Sequence, residues 1–176
     1  MKHGLAIILL LIISGRLQAT IQTPDLLIIE KDTIELREMD LFPLEILNLE
    51  YRPFNYIRAT APSTACWRGY QAIWRIVENK IYLERIQRCN GDANGNQPED
   101  IMELLAKNRV AVAVENGMVA AHWINLDLYE LKRFYSGGKK VLTDHRFVGK
   151  EVANPRYVLR IKNGSITTNH LQVAGM

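Results

Sequence analysis

The chain has 176 residues, of which 48% are hydrophobic, and a formal net charge of +3. This composition is typical of a globular protein, and a chain of this length can fold as one domain on its own core. The near-neutral total argues against a nucleic-acid-binding protein, which would carry a concentrated basic surface. The charge is unevenly spread, since residues 20–50 carry eight acidic and two basic side chains, while residues 131–176 carry nine basic and two acidic ones. We expect these ends to be solvated or mutually paired; the alternative is two separate binding patches.

The first 19 residues have the composition of a signal peptide. Lys2 precedes an uncharged apolar run from Leu5 to Ile13, which has the length of a signal-peptide core and is about half of a membrane span. We expect cleavage after Ala19, leaving a single β-rich domain over residues 20–176 with a net charge of +1 and no transmembrane segment. A buried N-terminal strand is the alternative. Cleavage would place the protein in a bacterial periplasm or outside the cell.

Two elements are expected between the signal peptide and the first cysteine. The segment from Pro24 to Glu38 predicts two short strands and a tight turn, because an apolar run breaks at Lys31-Asp32 and alternation then resumes. The proline-containing segment that follows, with Pro43, Pro53 and Pro62, predicts loops. We expect these loops to be anchored by three apolar residues, Leu44, Ile46 and Phe54.

The segment from Thr64 to Cys89, TACWRGYQAIWRIVENKIYLERIQRC, predicts a β-hairpin. Alternate residues from Tyr70 to Ile76 share one face, and a turn at Glu78-Asn79 would place Trp74 opposite Leu83 and Ile76 opposite Ile81. This register sets the two cysteines diagonally on that face, one step short of being opposite, so that a bulge or a longer loop would bring them together.

Cys66 and Cys89 are the two cysteines of the chain, and we expect them to form a disulfide in an exported protein. The alternative is a catalytic thiol with His122, His145 or His170 as its base.

Four arginines of this segment, Arg68, Arg75, Arg85 and Arg88, would form a stripe across the hairpin. A solvated outer face is the simpler interpretation. If the segment binds a partner, Arg68, Arg75 and Arg85 are the candidate binding residues.

The C-terminal half predicts one helix and several hairpins. We expect a short helix from Pro98 to Lys107 with an apolar stripe of Ile101, Leu104 and Leu105, capped from Asn96 or Gln97. Further predicted features are strands about Asn116-Gly117, a strand from Leu126 towards a turn at Ser136-Gly137-Gly138, and a last strand with a turn at Asn163-Gly164. The predicted fold class is α+β, mostly antiparallel, barrel-like or a sandwich, with one short helix.

Sequence motifs give no catalytic residue, metal site or cofactor. The stretch from Asp92 to Glu103 partly matches a calcium loop, but Gln97 stands where that loop needs glycine, so a polar loop is the preferred interpretation. Ser136-Gly-Gly-Lys139 lacks the spacing of a phosphate loop. Glu99 and Glu103 are the carboxylates that a hydrolase would use, although at a helix start they more simply serve the helix dipole and solvent.

With these residues in view, the chain resembles a family of exported bacterial proteins for which no reaction is established. The resemblance rests on Asp32-Thr33, Pro43-Leu44, the run from Ser63 to Tyr70, Trp74, Asn79-Lys80, Tyr82-Leu83, Trp123 and the closing strand with Asn163-Gly164. It implies export and a β-rich fold, and it carries no catalytic residue across.

Three functions of different class are compatible with these observations. We favour a non-enzymatic binding protein, an inhibitor or immunity-type protein whose partner is another envelope protein. The alternatives are an envelope hydrolase that uses carboxylates and a structural envelope component.

Overall fold

The computed structural model of the chain describes residues 22–37, 42–56, 63–89, 97–131, 146–148 and 157–171. Several predicted features lie outside them: the signal peptide, the turn at Ser136–Gly138, Pro62, His145 and the first part of the calcium-like loop. Ten β-strands and one α-helix form within the described ranges. The strands are β1 (Asp25–Ile29), β2 (Asp32–Arg37), β3 (Tyr70–Val77), β4 (Lys80–Arg88), β5 (Ala113–Glu115), β6 (Met118–Ala120), β7 (Leu126–Leu131), β8 (Arg146–Val148), β9 (Tyr157–Lys162) and β10 (Ser165–Leu171), and the helix is α1 (Ile101–Lys107).

All ten strands belong to one curled sheet in the order β10-β9-β7-β8-β2-β1-β3-β4-β6-β5. A further pairing, Ser165 with Lys80, joins β10 to β4, so the strands from β10 to β4 make a closed ring and β6 and β5 extend from it. Most pairs are antiparallel, as predicted, while β1 with β3 and β2 with β8 are parallel. The predicted α+β class with a barrel-like sheet and one short helix is confirmed.

The predicted hairpins are present. β1 and β2 pair antiparallel across a two-residue turn, and β5 with β6 and β9 with β10 turn at Asn116-Gly117 and Asn163-Gly164. Both residues of each Asn-Gly turn have positive φ, as the tightest hairpin turns require. β3 and β4 turn at Glu78-Asn79 with Trp74 opposite Leu83 and Ile76 opposite Ile81, which confirms the predicted register.

A β-bulge in β4 changes which side chains of that strand face the core. Ile73 pairs with Arg85 while Trp74 pairs with Leu83, so Glu84 is the extra residue. The extra residue moves the buried face from odd to even positions, because Ile81 and Leu83 are buried before it and Ile86 after it. Without the bulge, Arg85 would point into the core in place of Ile86.

The core fills the inside of the curled sheet. Trp74 lies at its centre and packs edge-to-face against Trp123, with ring centroids 6.3 Å apart. The other large, fully buried apolar side chains come from several strands, the proline-containing segment and α1: Tyr70, Leu27, Leu36, Leu44, Ile81, Leu83, Ile86, Leu105 and Ile124. No helix among the described residues is long and apolar enough to cross a membrane.

Two local predictions were wrong. The helix begins at Ile101 rather than at Pro98, because the Asp100 carboxylate accepts a hydrogen bond from the Glu103 N–H at 2.9 Å and so caps the helix in place of Asn96 or Gln97. Its apolar stripe is as predicted. In the proline-containing segment, 3-10 helices form at Glu45–Leu47 and Pro53–Asn55. Leu44 and Phe54 pack on the core as expected, but Ile46 is 38% exposed and Leu47 packs inward instead.

Candidate functional site

The disulfide joins a tight turn before β3 to the end of β4. Cys66 and Cys89 are bonded with their Cα atoms 6.2 Å apart, which confirms the predicted pair and leaves no thiol for catalysis. The bulge does not bring them together, because Tyr70 pairs with Arg88 and the next pair would therefore match Cys89 with Gly69. A turn closes the gap: the Gly69 N–H donates to the Cys66 carbonyl oxygen at 3.1 Å. A disulfide of this kind is consistent with an oxidising compartment.

Arg68, the first of the candidate binding residues, is buried inside this turn. Its side chain is 1% exposed, so the predicted outer-face position is wrong for Arg68. It donates to Asp25 Oδ1 at 2.8 Å and to the Thr23 carbonyl oxygen at 2.7 Å. The guanidinium carbon lies 3.6 Å from the centroid of the Phe42 ring, a cation–π contact in a desolvated place.

Asp25 is the buried counter-ion of Arg68. It accepts two more hydrogen bonds, from the Ala72 N–H at 3.1 Å and from Trp74 Nε1–H at 3.2 Å. Burial disfavours the charged guanidinium of Arg68, but the charge of Asp25 and its hydrogen bond outweigh burial, so the pKa of Arg68 is raised. The pair therefore ties the start of β1 to β3 and to the turn that carries the disulfide.

A chain of contacts runs from this pair to the surface, beginning with the Arg68 guanidinium carbon, which lies 4.9 Å from the Tyr70 ring centroid. The Tyr70 hydroxyl donates a short hydrogen bond to Glu45 Oε1, and Arg52 Nη2 donates to the same oxygen at 2.6 Å. Burial raises the pKa of Tyr70 well above its usual value, and the negative charges of Asp25 and Glu45 raise it further, so Tyr70 stays a neutral donor. The position of Arg52 on the surface is thus set by contacts that begin in the core.

Arg75 and Arg85 remain at the surface, as expected for an outer face. Arg75 donates two hydrogen bonds to the Glu84 carboxylate, at 2.6 and 3.2 Å. Hydrogen bonding to Glu84 raises the pKa of Arg75 despite some burial. Arg85 is exposed at the bulge of β4. The three candidate arginines therefore do not form one stripe.

A different set of aromatic and arginine residues lies beside the disulfide. We call it the aromatic–arginine surface, and it consists of Tyr51, Arg52, Phe54, Tyr56, Trp67 and Arg88. Tyr51 is 48% and Trp67 36% exposed. Arg52 lies 5.8 Å from the Trp67 ring centroid, and Arg88 lies 4.4 Å from that of Phe54 and 5.4 Å from that of Tyr56.

Backbone hydrogen bonds hold this surface in place. Asn108 accepts from the Tyr51 N–H and donates to the Tyr51 carbonyl oxygen, both at 2.9 Å. Phe54, whose φ is positive, donates its N–H to Glu99 Oε2 at 2.6 Å. Gly69 has φ +81 and no room for a Cβ, because the Tyr56 ring packs directly against it.

The carboxylates considered for a hydrolase have structural contacts. Glu99 accepts from the Phe54 backbone, and Glu103 is exposed and pairs with Lys107 at 2.6 Å. No group of three or more His, Cys, Asp or Glu side chains in the described ranges could hold a metal ion. His122 is exposed.

Comparisons with models of known families, with curated proteins and with solved structures each give no match. The family resemblance therefore stays a prediction.

Most of the aromatic–arginine surface was not predicted from the sequence. Tyr51, Arg52 and Phe54 lie in the proline-containing segment, where no periodicity assigns a side chain to a face. Composition was the available signal, since Tyr51 directly precedes Arg52 and Phe54 lies two positions after it, which resembles the pairing of Trp67 with Arg68 at the disulfide. Only the fold brings these two segments together.

Proposed function

We propose that the protein is an exported, non-enzymatic binding protein that uses the aromatic–arginine surface to contact another envelope protein, as an inhibitor or immunity-type protein would. Tryptophan, tyrosine and arginine are the residues that most often dominate the binding energy of protein interfaces. Trp67, Tyr51 and Arg52 bring all three types together at partly exposed positions. This concentration is the observation that carries the proposal.

The way the surface is held supports binding with little loss of conformational entropy. The disulfide fixes the turn next to Trp67, and the Glu45 carboxylate and the Trp67 ring fix Arg52. Ordering a long side chain at an interface costs about 0.5–1.5 kcal/mol. Side chains that are already ordered avoid much of this cost, so the surface is well suited to tight binding.

The three arginines predicted from the sequence take different parts in this proposal. Arg68 acts from the core by holding Asp25 and Phe42, while Arg75 and Arg85 are accessible to a partner. Their role in binding stays a prediction. The hydrogen bond that Glu99 accepts from the Phe54 N–H and the ion pair of Glu103 with Lys107 argue against the hydrolase alternative.

Site-specific photo-crosslinking in the producing cells tests the proposal. A photoreactive amino acid replaces Trp67 in one variant and Lys162 in the control. Lys162 is exposed and pairs with Ser165, which pairs with Lys80. Lys162 therefore lies near the first residue of β4, whereas Arg88 is at the other end of that strand, about 25 Å away. We expect one discrete cross-linked protein from position 67 and none from position 162.

The affinity of alanine variants for the identified partner then shows whether the cross-linked protein binds at this surface or is merely close to it. Tyr51→Ala and Trp67→Ala should each weaken binding by about 2 kcal/mol or more, which is at least about 30-fold, and Lys162→Ala should leave it unchanged. Equal cross-linking from both positions, or unchanged affinity of both alanine variants, would contradict the proposal. A large stable assembly of the protein alone in sedimentation would instead favour the structural-component alternative.

A further inference from the structure

A gap opens along one edge of β4 at its bulge. That edge pairs with β10 at Lys80 and with β6 at Tyr82 and Leu83. Further on, the Glu99 N–H donates to the Ile86 carbonyl oxygen at 2.9 Å. Between these contacts, no strand of the described chain pairs with the same edge at the bulge. The sheet is therefore interrupted there, and the interruption is one side of a groove.

The groove has a volume of about 210 Å³. It is lined by Leu83, Glu84, Arg85, Pro98, Glu99, Asp100, Ile101, Met102, Val114, Gly117 and Val119. An apolar row crosses three strands beside it, since Leu83 pairs with Val119 and Val119 with Val114, but Leu83 and Val119 are buried in the core. The open apolar surface comes from Met102 on α1, 48% exposed, and from Val114 on β5, 51% exposed. Two apolar side chains thus face solvent in the groove.

The charge of the groove is negative. Three carboxylates, those of Glu84, Glu99 and Asp100, line it with one guanidinium, that of Arg85. Arg75 neutralises Glu84. Glu99 and Asp100 each use one oxygen for a backbone N–H, and within the described residues the second oxygen of each has no donor. A carboxylate can accept several hydrogen bonds, so these two oxygens are placed to receive a cation.

We propose that this groove binds an extended peptide segment that carries one large apolar side chain flanked by lysine or arginine. A cavity of about 150 Å³ holds a benzene ring, so the groove has room for one aromatic side chain against Met102 and Val114. The flanking cations would lie against Glu99 and Asp100. The peptide backbone would reach β4 at Glu84 and Arg85, the two residues between Leu83, which pairs with β6, and Ile86, whose carbonyl oxygen accepts from Glu99, and main-chain hydrogen bonds of the strand-addition kind would be confined to these two residues.

The groove borders the aromatic–arginine surface, because Glu99 also accepts from the Phe54 N–H. The proposal does not depend on binding at that surface. Failure of the groove to take a peptide would leave the cross-linking from position 67 unaffected, and the reverse also holds.

Titration of the protein with synthetic peptides tests the inference. The probes are three blocked pentapeptides with glycine at both ends: one with phenylalanine between two lysines, one with phenylalanine between two glutamates, and one with glycine between two lysines. The readout is the NMR shift of the Met102 ε-methyl group. The first peptide should shift it saturably. The third should bind at least about 10-fold more weakly because it lacks the buried ring, and the second about fivefold more weakly because like charges repel.

A charge-removing variant assigns the preference to the two carboxylates. Glu99→Gln with Asp100→Asn keeps an oxygen for each backbone donor and removes both charges. This variant should bind the lysine and glutamate peptides equally and still require phenylalanine. Glu103→Gln, a control on the same helix outside the groove, should keep the preference for lysine. If the double variant is unfolded, Glu99→Gln alone takes the place of the double variant and should halve the preference for lysine. An unshifted Met102 methyl at millimolar peptide, no preference for lysine in the unsubstituted protein, or a preference that survives charge removal would each overturn the proposal.

Discussion

Replacing Arg68 by methionine should destabilise the protein strongly, because it leaves a buried charge behind. The Asp25 side chain is 0% exposed, and of its donors among the described residues it would keep those from Ala72 and Trp74 in the variant. Removing one partner of a buried ion pair typically costs about 3–5 kcal/mol. A domain has a total stability of about 5–15 kcal/mol, so the loss is a large part of it. The variant also loses the cation–π contact with Phe42.

Urea unfolding followed by tryptophan fluorescence, with the disulfide intact, measures this loss. In a double-mutant cycle of Arg68→Met with Asp25→Asn, the double variant should be more stable than the sum of the single losses predicts, by about 2 kcal/mol or more, since no unpaired charge remains. The half-exposed pair of Arg75 and Glu84 provides the matched control, with Arg75→Met and Glu84→Gln coupled by less than about 1 kcal/mol. Additivity within about 0.5 kcal/mol at the Arg68 pair would refute the reasoning that this pair is a mutually dependent buried unit.

Three further outcomes are expected from unfolding measurements. Replacing both Cys66 and Cys89 by serine should lower the free energy of unfolding by about 3 kcal/mol, because the bond closes a loop with a sequence separation of 23 residues; an unchanged urea midpoint would contradict this. Gly69→Ala should cost at least about 1 kcal/mol more than Gly117→Ala, since both glycines have positive φ but only Gly69 has an aromatic ring against the space of a Cβ; equal losses would show that the ring moves freely. Glu115→Gln should reduce stability near neutral pH and have little effect in acid. Hydrogen bonds from Tyr82 and Lys80 lower the pKa of Glu115 below its usual 4.5. The stabilisation by Glu115 is therefore fully present above pH 4.5 and is lost as the pH falls through the lowered pKa. A difference in stability between the variant and the unsubstituted protein that stays constant down to acid pH would contradict the assignment.

Local features of the fold were predictable from sequence because they depend on neighbours in the chain. Alternating apolar residues and a two-residue turn set the register that places Trp74 opposite Leu83. The Asn-Gly hairpins and the apolar stripe of the helix follow from the same short-range rules. The two cysteines could be paired from composition and expected export.

The bulge was visible only as an interruption of that pattern. Ile81 and Leu83 are odd and Ile86 is even, which sequence alternation alone does not explain. Either Arg85 or Ile86 could have faced the core, and a single inserted residue in β4 decides it. The groove proposed to bind a peptide lies at this insertion, so its position also depended on the bulge.

The sequence by itself determined most of the strands, the hairpin turns and the identity of the disulfide, because these follow from side-chain periodicity and backbone preference within a few residues. The three-residue strand β8 was not predicted. The tertiary structure decided that Arg68 is buried and that Arg52 lies over Trp67 at the surface. These placements depend on contacts between residues more than ten positions apart, such as Arg68 with Asp25, which no local pattern encodes. Burial of a charge is favourable only where the fold supplies its counter-ion and hydrogen bonds. Here the counter-ion Asp25 reaches Arg68 because β1 pairs with β3.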